Sequence, residues 1–399
     1  MTEAYIVSAC RTPFGKYGGA LKDVRPDDMA GLVMKEAALR AKIDPAEIDD
    51  VMFGCANQAG EDNRNVARMG SLLAGFPERV PAVTINRLCG SSLDAIIQAS
   101  RAIRCGEADI IIAGGVESMT RAPYSLPKNV SGGAVFGNIP AYDTALGWRY
   151  PNTKLEAMFP LESMGETAEN VAEQWNTNRE DQDAFALESH RRAIQAQERG
   201  DYDEEIVPAE IVSRKGNTTV SADEQPRKDS TLEKLAALKP AFRTGGSVTA
   251  GNSSTLNDGA SAVAVVSERA LKRLGIEPLG RYVASGVEGL SPRCMGLGPI
   301  YAVGKALTQA QRRIEEIDLF ELNEAFASQS LAVIRELHLD PSRVNPNGGA
   351  IAIGHPLGAS GGRLVATLLY QMRRKGLKLG IATMCIGVGQ GIAAIFERE

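Results

Sequence analysis

Two stretches of the chain repeat each other at a constant spacing, and this internal repeat limits the possible folds more than any other feature. Glu47-Ile48-Asp49 precedes one apolar run, and Glu316-Ile317-Asp318 precedes another, an offset of 269 residues. At the same offset Cys89 falls on Gly358, and each of these two residues lies just ahead of an apolar helix pattern. A constant offset through strands and turns predicts two copies of one α/β unit. A pseudo-twofold axis between the copies would bring Cys89 near the segment 347–362.

The first copy alternates strand and helix patterns. Apolar runs at 4–8, 51–54 and 109–113 predict strands, and amphipathic spacing over 27–41 and 63–73 predicts helices. Such alternation favours an α/β layer with a mostly parallel, buried sheet. We therefore predict an N-terminal half formed by 1–117 with 250–272, and a C-terminal half formed by 273–399.

The segment between the halves has a different composition. Residues 121–162 carry five prolines and six aromatic residues with little helix or strand periodicity. Two helix patterns follow at 165–175 and 179–199, and a strand pair is predicted around 215–217. Long connections inside a protein of this size are usually functional. We interpret 118–249 as an insertion domain over the active site.

Bulk properties exclude several function classes. The 399 residues are 44% hydrophobic and 23% charged, as in globular proteins, and the net charge of −5 without a basic tract argues against nucleic acid. No apolar run reaches membrane-spanning length, and the chain enters a strand at once, which leaves no room for a signal peptide. The six cysteines lack paired spacing, which predicts reduced thiols in a cytoplasm and no metal site.

Cys89 lies where the apolar run 83–85 gives way to a helix pattern beginning at Leu93. A thiol at a helix N-terminus faces the positive end of the helix dipole, which favours the thiolate. The same N–H groups can hold a developing oxyanion. A free cysteine is also often only a small buried hydrophobe, so this stretch alone leaves both interpretations open.

Three glycine-rich segments carry further polar side chains: 323–327 with Asn323, 345–358 with His355, and 385–391 with Cys385. His355 is one of three histidines and stands in the segment that the repeat brings toward Cys89; His190 and His338 are predicted to be surface residues. An imidazole beside a thiol can take its proton and produce a nucleophile. Two thiols with one histidine are compatible with a redox disulfide, or with one nucleophile and one general acid/base.

Four motifs in order make the chain resemble the thiolase family: NRLCGSS at 86–92, NEAFA at 323–327, GHPLGASG at 354–361 and CIGVGQG at 385–391. The resemblance extends from end to end. It implies a five-layered αβαβα fold of two pseudo-symmetric halves with an inserted loop domain that binds coenzyme A. It also implies ping-pong acyl transfer with coenzyme A and acyl-CoA as substrates and no permanently bound cofactor.

The resemblance assigns roles to the four motifs. Cys89 would attack the 3-keto carbon of a 3-ketoacyl-CoA, and Cys385 would protonate the leaving enolate or, in condensation, deprotonate the acetyl methyl group. His355 would activate Cys89 and, with a water held by Asn323, form one oxyanion hole. Backbone N–H groups of Cys89 and Gly387 would form the other.

Other properties follow from the same resemblance. It implies a homodimer or homotetramer, with the strand before Cys89 at the dimer interface and the loop 121–145 as the tetramer contact. Ser163 stands where many short-chain members have His. The residues implied in coenzyme A binding are Arg227, Ser254, Met164, Phe242, Ala325 and Phe326.

The acyl preference has two main alternatives. A general 3-ketoacyl-CoA or acetoacetyl-CoA thiolase comes first, and a 3-oxoadipyl-CoA (β-ketoadipyl-CoA) thiolase of aromatic catabolism comes second. The segment 54–69 and Trp148-Arg149-Tyr150 are similar to the second group, in which an arginine such as Arg64 or Arg68 could pair with a terminal carboxylate or serve the dimer interface. A ketoacyl synthase, which has a second His where this chain has Asn323 or Cys385, and a non-catalytic acyl-CoA-binding relative are more distant alternatives.

Overall fold

Helices and strands alternate along most of the chain in the computed structural model, which describes residues 2–128, 137–211 and 216–398. The strands are β1 Ala4–Arg11, β2 Gly15–Lys16, β3 Asp50–Gly54, β4 Ala82–Ile85, β5 Ile110–Ser118, β6 Tyr124–Ser125, β7 Tyr142–Asp143, β8 Ala209–Ile211, β9 Thr218–Val220, β10 Asn257–Ser267, β11 Gly280–Gly289, β12 Leu319–Leu322, β13 Leu379–Ile386 and β14 Gln390–Glu397. The α-helices are α1 Pro26–Arg40, α2 Val66–Leu73, α3 Ser91–Cys105, α4 Thr153–Met158, α5 Met164–Gln174, α6 Arg179–Arg199, α7 Leu232–Ala236, α8 Glu268–Leu274, α9 Gly298–Ala310, α10 Ala327–Glu336, α11 Ala350–Ile353 and α12 Leu357–Lys375.

Local sequence explains where the long helices begin and end. Pro26 is the first residue of α1, and Asp27 and Asp28 follow it in the first turn, where negative charge is favoured by the positive end of the helix dipole. Asn178 caps α6 through its side chain, and Gly200 ends that helix in the left-handed conformation, with φ +74°. These signals place the observed helices within a few residues of the predicted ones.

The main sheet has ten strands in the order β12-β13-β14-β11-β1-β10-β5-β3-β4, with β2 paired to β10. Its two ends are built alike. β3 runs parallel to β5, which runs antiparallel to β10; β12 runs parallel to β13, which runs antiparallel to β14. The two copies predicted from the constant offset are therefore confirmed.

The apolar core has three main parts that define five layers. One part lies between α1, α2 and the first half of the sheet, and another lies between α9, α10 and the second half. Between the two halves of the sheet lies the third part, formed around α3 and α12. The sequence of layers is helix, sheet, helix, sheet, helix, as the resemblance implied.

The prediction of a mostly parallel sheet is wrong. Only β3–β4, β3–β5 and β12–β13 are parallel among the described strand pairs, and the strands at the centre of the sheet are antiparallel. The reason is local at β13–β14, where a short glycine-rich turn returns the chain as a hairpin. A tight turn can join only antiparallel neighbours.

The long excursion between the halves leaves the sheet at the end of β5 and returns at the start of β10. Ser118 and Asp258 are directly paired, so the two ends of the excursion are adjacent. The predicted strand pair is present as β8 and β9, while the central Lys215 lies outside the described residues. Part of the proposed 121–145 contact loop, 129–136, also lies outside them.

The described ranges lack both a membrane-spanning helix and a cluster of metal ligands. No helix there combines the length and apolar character needed to span a bilayer. No group of three or more His, Cys, Asp or Glu side chains in these ranges could hold a metal ion.

Candidate active site

Cys89 lies in a short 3₁₀ turn, Leu88–Gly90, that leads directly into α3. Leu88 has φ +47°, a left-handed conformation that costs energy for a side chain of this size. Ser91 holds the turn, because its Oγ donates to the Leu88 carbonyl at 2.6 Å and accepts from the Arg87 N–H at 2.9 Å. The predicted strand–turn–helix context of Cys89 is therefore confirmed, and the turn is fixed by its own side chains.

The N-terminal turn of α12 packs directly on the N-terminal turn of α3. A Cβ atom on Gly361 would lie 2.5 Å from the backbone nitrogen of Leu93, so only glycine fits there. The Gly362 N–H donates to Ser92 Oγ at 2.9 Å. The approach of the two related turns, predicted from the offset between Cys89 and Gly358, is confirmed.

The Cys89 thiol receives two backbone N–H groups, its own and that of Gly387, and both lower its pKa. Burial acts in the opposite direction and is the larger effect, so the pKa of Cys89 is raised to about 11. The sequence prediction of a thiolate favoured by the helix N-terminus is therefore wrong for the free protein. A base must remove the proton before the sulfur can attack.

His355 is buried and held in one tautomer by Ser360. Its Nδ1 lies 2.7 Å from Ser360 Oγ, and that hydroxyl donates to the Pro356 carbonyl at 2.9 Å. Since the Pro356 carbonyl can only accept, we assign the hydroxyl proton to that bond, so that Nδ1 carries the ring proton and donates, and the lone pair stays on Nε2. Burial, with a smaller effect of Arg363, lowers the pKa of His355 to about 3. The ring is a neutral base at physiological pH.

Asn323 lies against this base. Its Nδ2 is 3.4 Å from His355 Nε2, and its backbone N–H donates to the Thr383 carbonyl. The buried Oδ1 atom has no hydrogen-bond partner among the described residues. A buried acceptor without a partner is costly, so this atom is suited to hold a water or a substrate group.

Cys385 lies at the end of β13 and is buried in a cluster with Ala325, Phe326 and Met164. Burial raises the pKa of its thiol, and the nearby Cys89 raises it further. Cys385 is therefore a protonated thiol that can act as an acid. Both thiols are free, with no disulfide between them.

One wall at this cluster is formed by five of the six residues implied in coenzyme A binding: Met164, Phe242, Ser254, Ala325 and Phe326. Phe242 packs edge-on against Phe326 with ring centroids 6.2 Å apart, and Phe242 is 40% exposed. A Cβ at Gly165 would lie 2.1 Å from the Phe242 ring, so that glycine makes room for the aromatic wall. The Ser254 N–H donates to the Ala325 carbonyl at 2.9 Å.

Arg227 lies at the surface, and its side chain has no ion-pair partner among the described residues. Its backbone N–H donates to His190 Nδ1 at 3.3 Å. His190 is buried, which contradicts the predicted surface position, because this face of α6 packs under the segment that carries Arg227. Burial, with a smaller effect of Arg227, lowers the pKa of His190 to about 4. His338 is exposed, as predicted.

The two arginines singled out in 54–69 differ in setting. Arg68 donates to the carbonyl oxygens of Val80 and Glu78 at 2.6 and 3.0 Å, so its guanidinium supports that loop. Arg64 is exposed, with φ +65°, and forms no ion pair with the described residues. Neither contact pattern places a guanidinium beside Cys89.

Sequence reasoning missed Glu117, a buried carboxylate next to the nucleophile. It accepts N–H groups from Ala56, Asn57 and Gly358 at 2.8–3.1 Å, which ties the first half to the loop that carries His355. Burial raises its pKa to about 7. A signal was available, because an acidic residue that ends a fully buried strand such as β5 needs dedicated donors.

Asn257 and Ser360 were also missed. The Asn257 side chain accepts the backbone N–H of His355 at 2.9 Å, directly beneath Gly354. Ser360 follows His355 by five residues in the glycine-rich segment, and no local pattern reveals that its hydroxyl returns to the ring. Both side chains position the base.

Comparisons with known proteins agree with this geometry. A family model described as the thiolase N-terminal domain matches residues 4–269, and one described as the thiolase C-terminal domain matches 276–398. A "Beta-ketoadipyl-CoA thiolase" of Acinetobacter baylyi is 54% identical over the full length of both chains. A "3-oxoadipyl-CoA/3-oxo-5,6-dehydrosuberyl-CoA thiolase" of Escherichia coli is 51% identical, again over both full lengths.

Solved structures give the same result for the fold. Human mitochondrial 3-ketoacyl-CoA thiolase in complex with CoA superposes with a TM-score of 0.93 at 41% identity, covering 100% of this chain and 98% of that one. The similarity therefore includes the halves, the segment between them and the site.

Proposed function

The chain belongs to the thiolase family and is an acyltransferase, and from this premise we propose that it cleaves 3-oxoadipyl-CoA with coenzyme A. The products are then acetyl-CoA and succinyl-CoA. Relatives whose names specify this substrate share half or more of their residues with the chain over its full length. The observation that supports the mechanism is the presence of a neutral buried imidazole at His355 and of two protonated thiols, Cys89 and Cys385, that lie near each other.

Acylation begins with His355 and Cys89 both uncharged. His355 Nε2 takes the proton from the Cys89 thiol, and the thiolate attacks the 3-keto carbon. The developing oxyanion needs preorganised donors. We assign it to the backbone N–H groups of Cys89 and Gly387, which hydrogen-bond to the Cys89 sulfur in the free protein. The enolate oxygen formed in the next step is assigned to the His355 ring and a water held by Asn323, because the amide oxygen of Asn323 has a free acceptor position.

Carbon–carbon cleavage follows when the tetrahedral intermediate collapses. The bond between C2 and C3 breaks, its electron pair becomes the enolate of acetyl-CoA, and the acyl group stays on Cys89. Cys385 gives its proton to the enolate carbon. The raised pKa of the Cys385 thiol supports this role, because a thiol that holds its proton in the resting state is available as an acid.

Transfer to coenzyme A completes the cycle. The Cys385 thiolate takes the proton of the incoming CoA thiol, whose sulfur attacks the acyl-enzyme, and His355 returns its proton to Cys89. The thioester carbonyl is the former 3-keto group, so its oxyanion again accepts the N–H groups of Cys89 and Gly387.

Coenzyme A is proposed to lie along the wall described above. Its pantetheine arm would pass Met164, Phe242, Ala325, Phe326 and Ser254 and reach the two thiols. Arg227 would contact the phosphate end, because its guanidinium is exposed and forms no ion pair with a described carboxylate.

Homodimer or homotetramer formation is part of the proposal. β4 lies at one end of the sheet, and its Val83 is 44% exposed, next to a helix that exposes Leu72 and Leu73. An open edge strand with apolar neighbours suits pairing with a second copy. Free cysteines at both catalytic positions suit a reducing cytoplasm. Light scattering of the purified chain tests the assembly, and a monomer would contradict it.

The decisive experiment compares kcat/KM for CoA-dependent cleavage of acetoacetyl-CoA, 3-oxohexanoyl-CoA and 3-oxoadipyl-CoA. We expect a preference of at least about tenfold for 3-oxoadipyl-CoA over the uncharged C6 substrate, the factor that about 1.4 kcal/mol supplies. Equal values for the two C6 substrates would make the chain a general 3-ketoacyl-CoA thiolase. Cys89→Ser is the blank, because it removes the nucleophile.

A further inference from the structure

We propose that Arg149 binds the terminal carboxylate of the acyl group and thereby sets the preference for a dicarboxylic substrate. This inference rests on the proposed function and names the residue that would recognise the charge. It follows from the way the segment 144–149 is attached to residues around the site and from the charge pairing of the arginines near it.

Two hydrogen-bonded tethers attach the segment 144–149 to residues that neighbour the catalytic centre. At one end, Thr144 Oγ1 accepts from Asn57 Nδ2 at 3.1 Å, and the Asn57 N–H donates to Glu117, the carboxylate whose charge acts on Cys89. At the other end, Trp148 Nε1 donates to the Glu162 carbonyl at 3.0 Å, two residues before the proposed pantetheine contact at Met164. Arg149 therefore belongs to a segment that bridges the nucleophile side and the pantetheine side.

The Arg149 guanidinium has donors to spare. Among the described residues it makes one hydrogen bond, from Nη1 to the Thr144 carbonyl at 3.1 Å, and no ion pair. A guanidinium has five N–H donors in a planar fork that fits a carboxylate. The bond to Thr144 fixes the direction of the side chain and leaves most of the fork for a ligand.

The other arginines near the site are already paired. Arg87 is 3.0 Å from Asp94, Arg293 is 3.0 Å from Glu162, and Arg243 is 2.8 Å from Glu166. Within the described part of 118–249, the only arginines without an ion pair are Arg149 and Arg227, and Arg227 is the proposed contact of the phosphate end. The remaining arginines of that part with a carboxylate partner are Arg121, Arg179, Arg191, Arg192 and Arg199.

The length of the acyl group requires a partner close to the nucleophile. In 3-oxoadipyl-CoA three carbon–carbon bonds separate the attacked carbon from the carboxylate carbon, a span of about 4 Å. A guanidinium that pairs with this group must come from an element close to Cys89, and the segment 144–149 is linked to the Cys89 side through Asn57 and Glu117. Arg68, which supports the loop 78–80, is occupied elsewhere.

The test measures kcat/KM of Arg149→Gln and Arg149→Lys with 3-oxoadipyl-CoA and with 3-oxohexanoyl-CoA, which replaces the carboxylate by a methyl group. We expect Arg149→Gln to lose about 10- to 100-fold with the charged substrate and less than about threefold with the uncharged one. Arg149→Lys keeps a cation without the fork and should recover part of the loss. Unchanged turnover of 3-oxohexanoyl-CoA shows that each variant is folded.

Arg64→Gln is the matched control, because Arg64 is exposed and also lacks an ion pair with a described residue. A wild-type preference that survives Arg149→Gln overturns the inference and leaves the proposed function intact. A preference lost in Arg64→Gln instead would assign the carboxylate to the 54–69 segment and also overturn it. A wild-type enzyme without any preference refutes the proposed substrate itself.

Discussion

Replacing Ser360 by alanine tests whether the tautomer of His355 matters for the rate. The substitution removes the acceptor of the Nδ1 proton in a site that excludes solvent. Leaving this N–H without a partner costs about 1–3 kcal/mol. The ring can avoid that cost by moving its proton to Nε2, but it then loses the lone pair that accepts the Cys89 proton.

Either outcome raises the barrier to acylation by a similar amount. Because each 1.36 kcal/mol is a factor of ten in rate, we expect kcat/KM to fall by about 10- to 100-fold. Ser100→Ala is the control, since Ser100 is also a buried helical serine whose hydroxyl donates four residues back, to the Ile96 carbonyl at 2.8 Å. Ser100 contacts no catalytic group, so Ser100→Ala should lose about 1 kcal/mol of unfolding free energy and keep kcat/KM unchanged.

The assay is stopped-flow acylation of Cys89 together with chemical denaturation of both variants. Nitrogen NMR of the imidazoles gives the tautomer directly, and only three histidines contribute signals. The reasoning is refuted if Ser360→Ala and Ser100→Ala lose equal stability while both keep the wild-type acylation rate.

Three further predictions test the interface of the halves, the buried base and the second thiol. Gly361→Ala places a Cβ atom 2.5 Å from the Leu93 nitrogen and should cost about 1–3 kcal/mol of unfolding free energy. The control Gly304→Ala changes an exposed helical glycine with open space around it and should gain up to about 1 kcal/mol. Equal effects of the two substitutions in chemical denaturation would contradict the packing argument. Because the pKa of His355 is lowered from 6.5 to about 3, the unfolded state binds more protons than the folded state between these two pH values. The free energy of unfolding therefore decreases as the pH is lowered, by about 2 kcal/mol from pH 7 to pH 5. His355→Gln should therefore lose less stability than wild type over that range, and parallel denaturation profiles would count against a neutral buried imidazole. Cys385→Ala should still form the acyl-enzyme slowly, as detected by mass spectrometry, but should not condense two acetyl-CoA molecules; full turnover would remove Cys385 from the mechanism.

Features repeated in the sequence were predictable, because the fold reuses them at the same offset. The match between Cys89 and Gly358 predicted that two helix N-termini meet, and the contact of Gly361 with Leu93 confirms it. Glycine-rich motifs predicted Asn323, His355 and Cys385 as candidate catalytic residues, and the structure buries all three.

Properties that depend on distant segments were not predictable. The thiolate prediction for Cys89 considered only its own helix, while burial of the thiol in the folded protein raises its pKa. His190 was expected at the surface because its helix is polar, yet the segment before Arg227 covers it. The prediction of a mostly parallel sheet failed for a similar reason, since the local alternation of strands and helices does not reveal which strands become neighbours in the sheet.

The paired ends of the excursion between β5 and β10 have a consequence for the evolution of substrate range. Asp258 accepts the Ser118 hydroxyl at 3.0 Å and the Thr120 N–H at 2.9 Å, so both exits from the sheet are held at one point. Because the ends are already together, changes in the length or sequence of the cover require no new strand register and little additional closure entropy. Acyl selectivity can therefore diverge within 119–256 while the nucleophile, base and acid stay in place, and exchanging this segment between relatives should transfer their acyl preference.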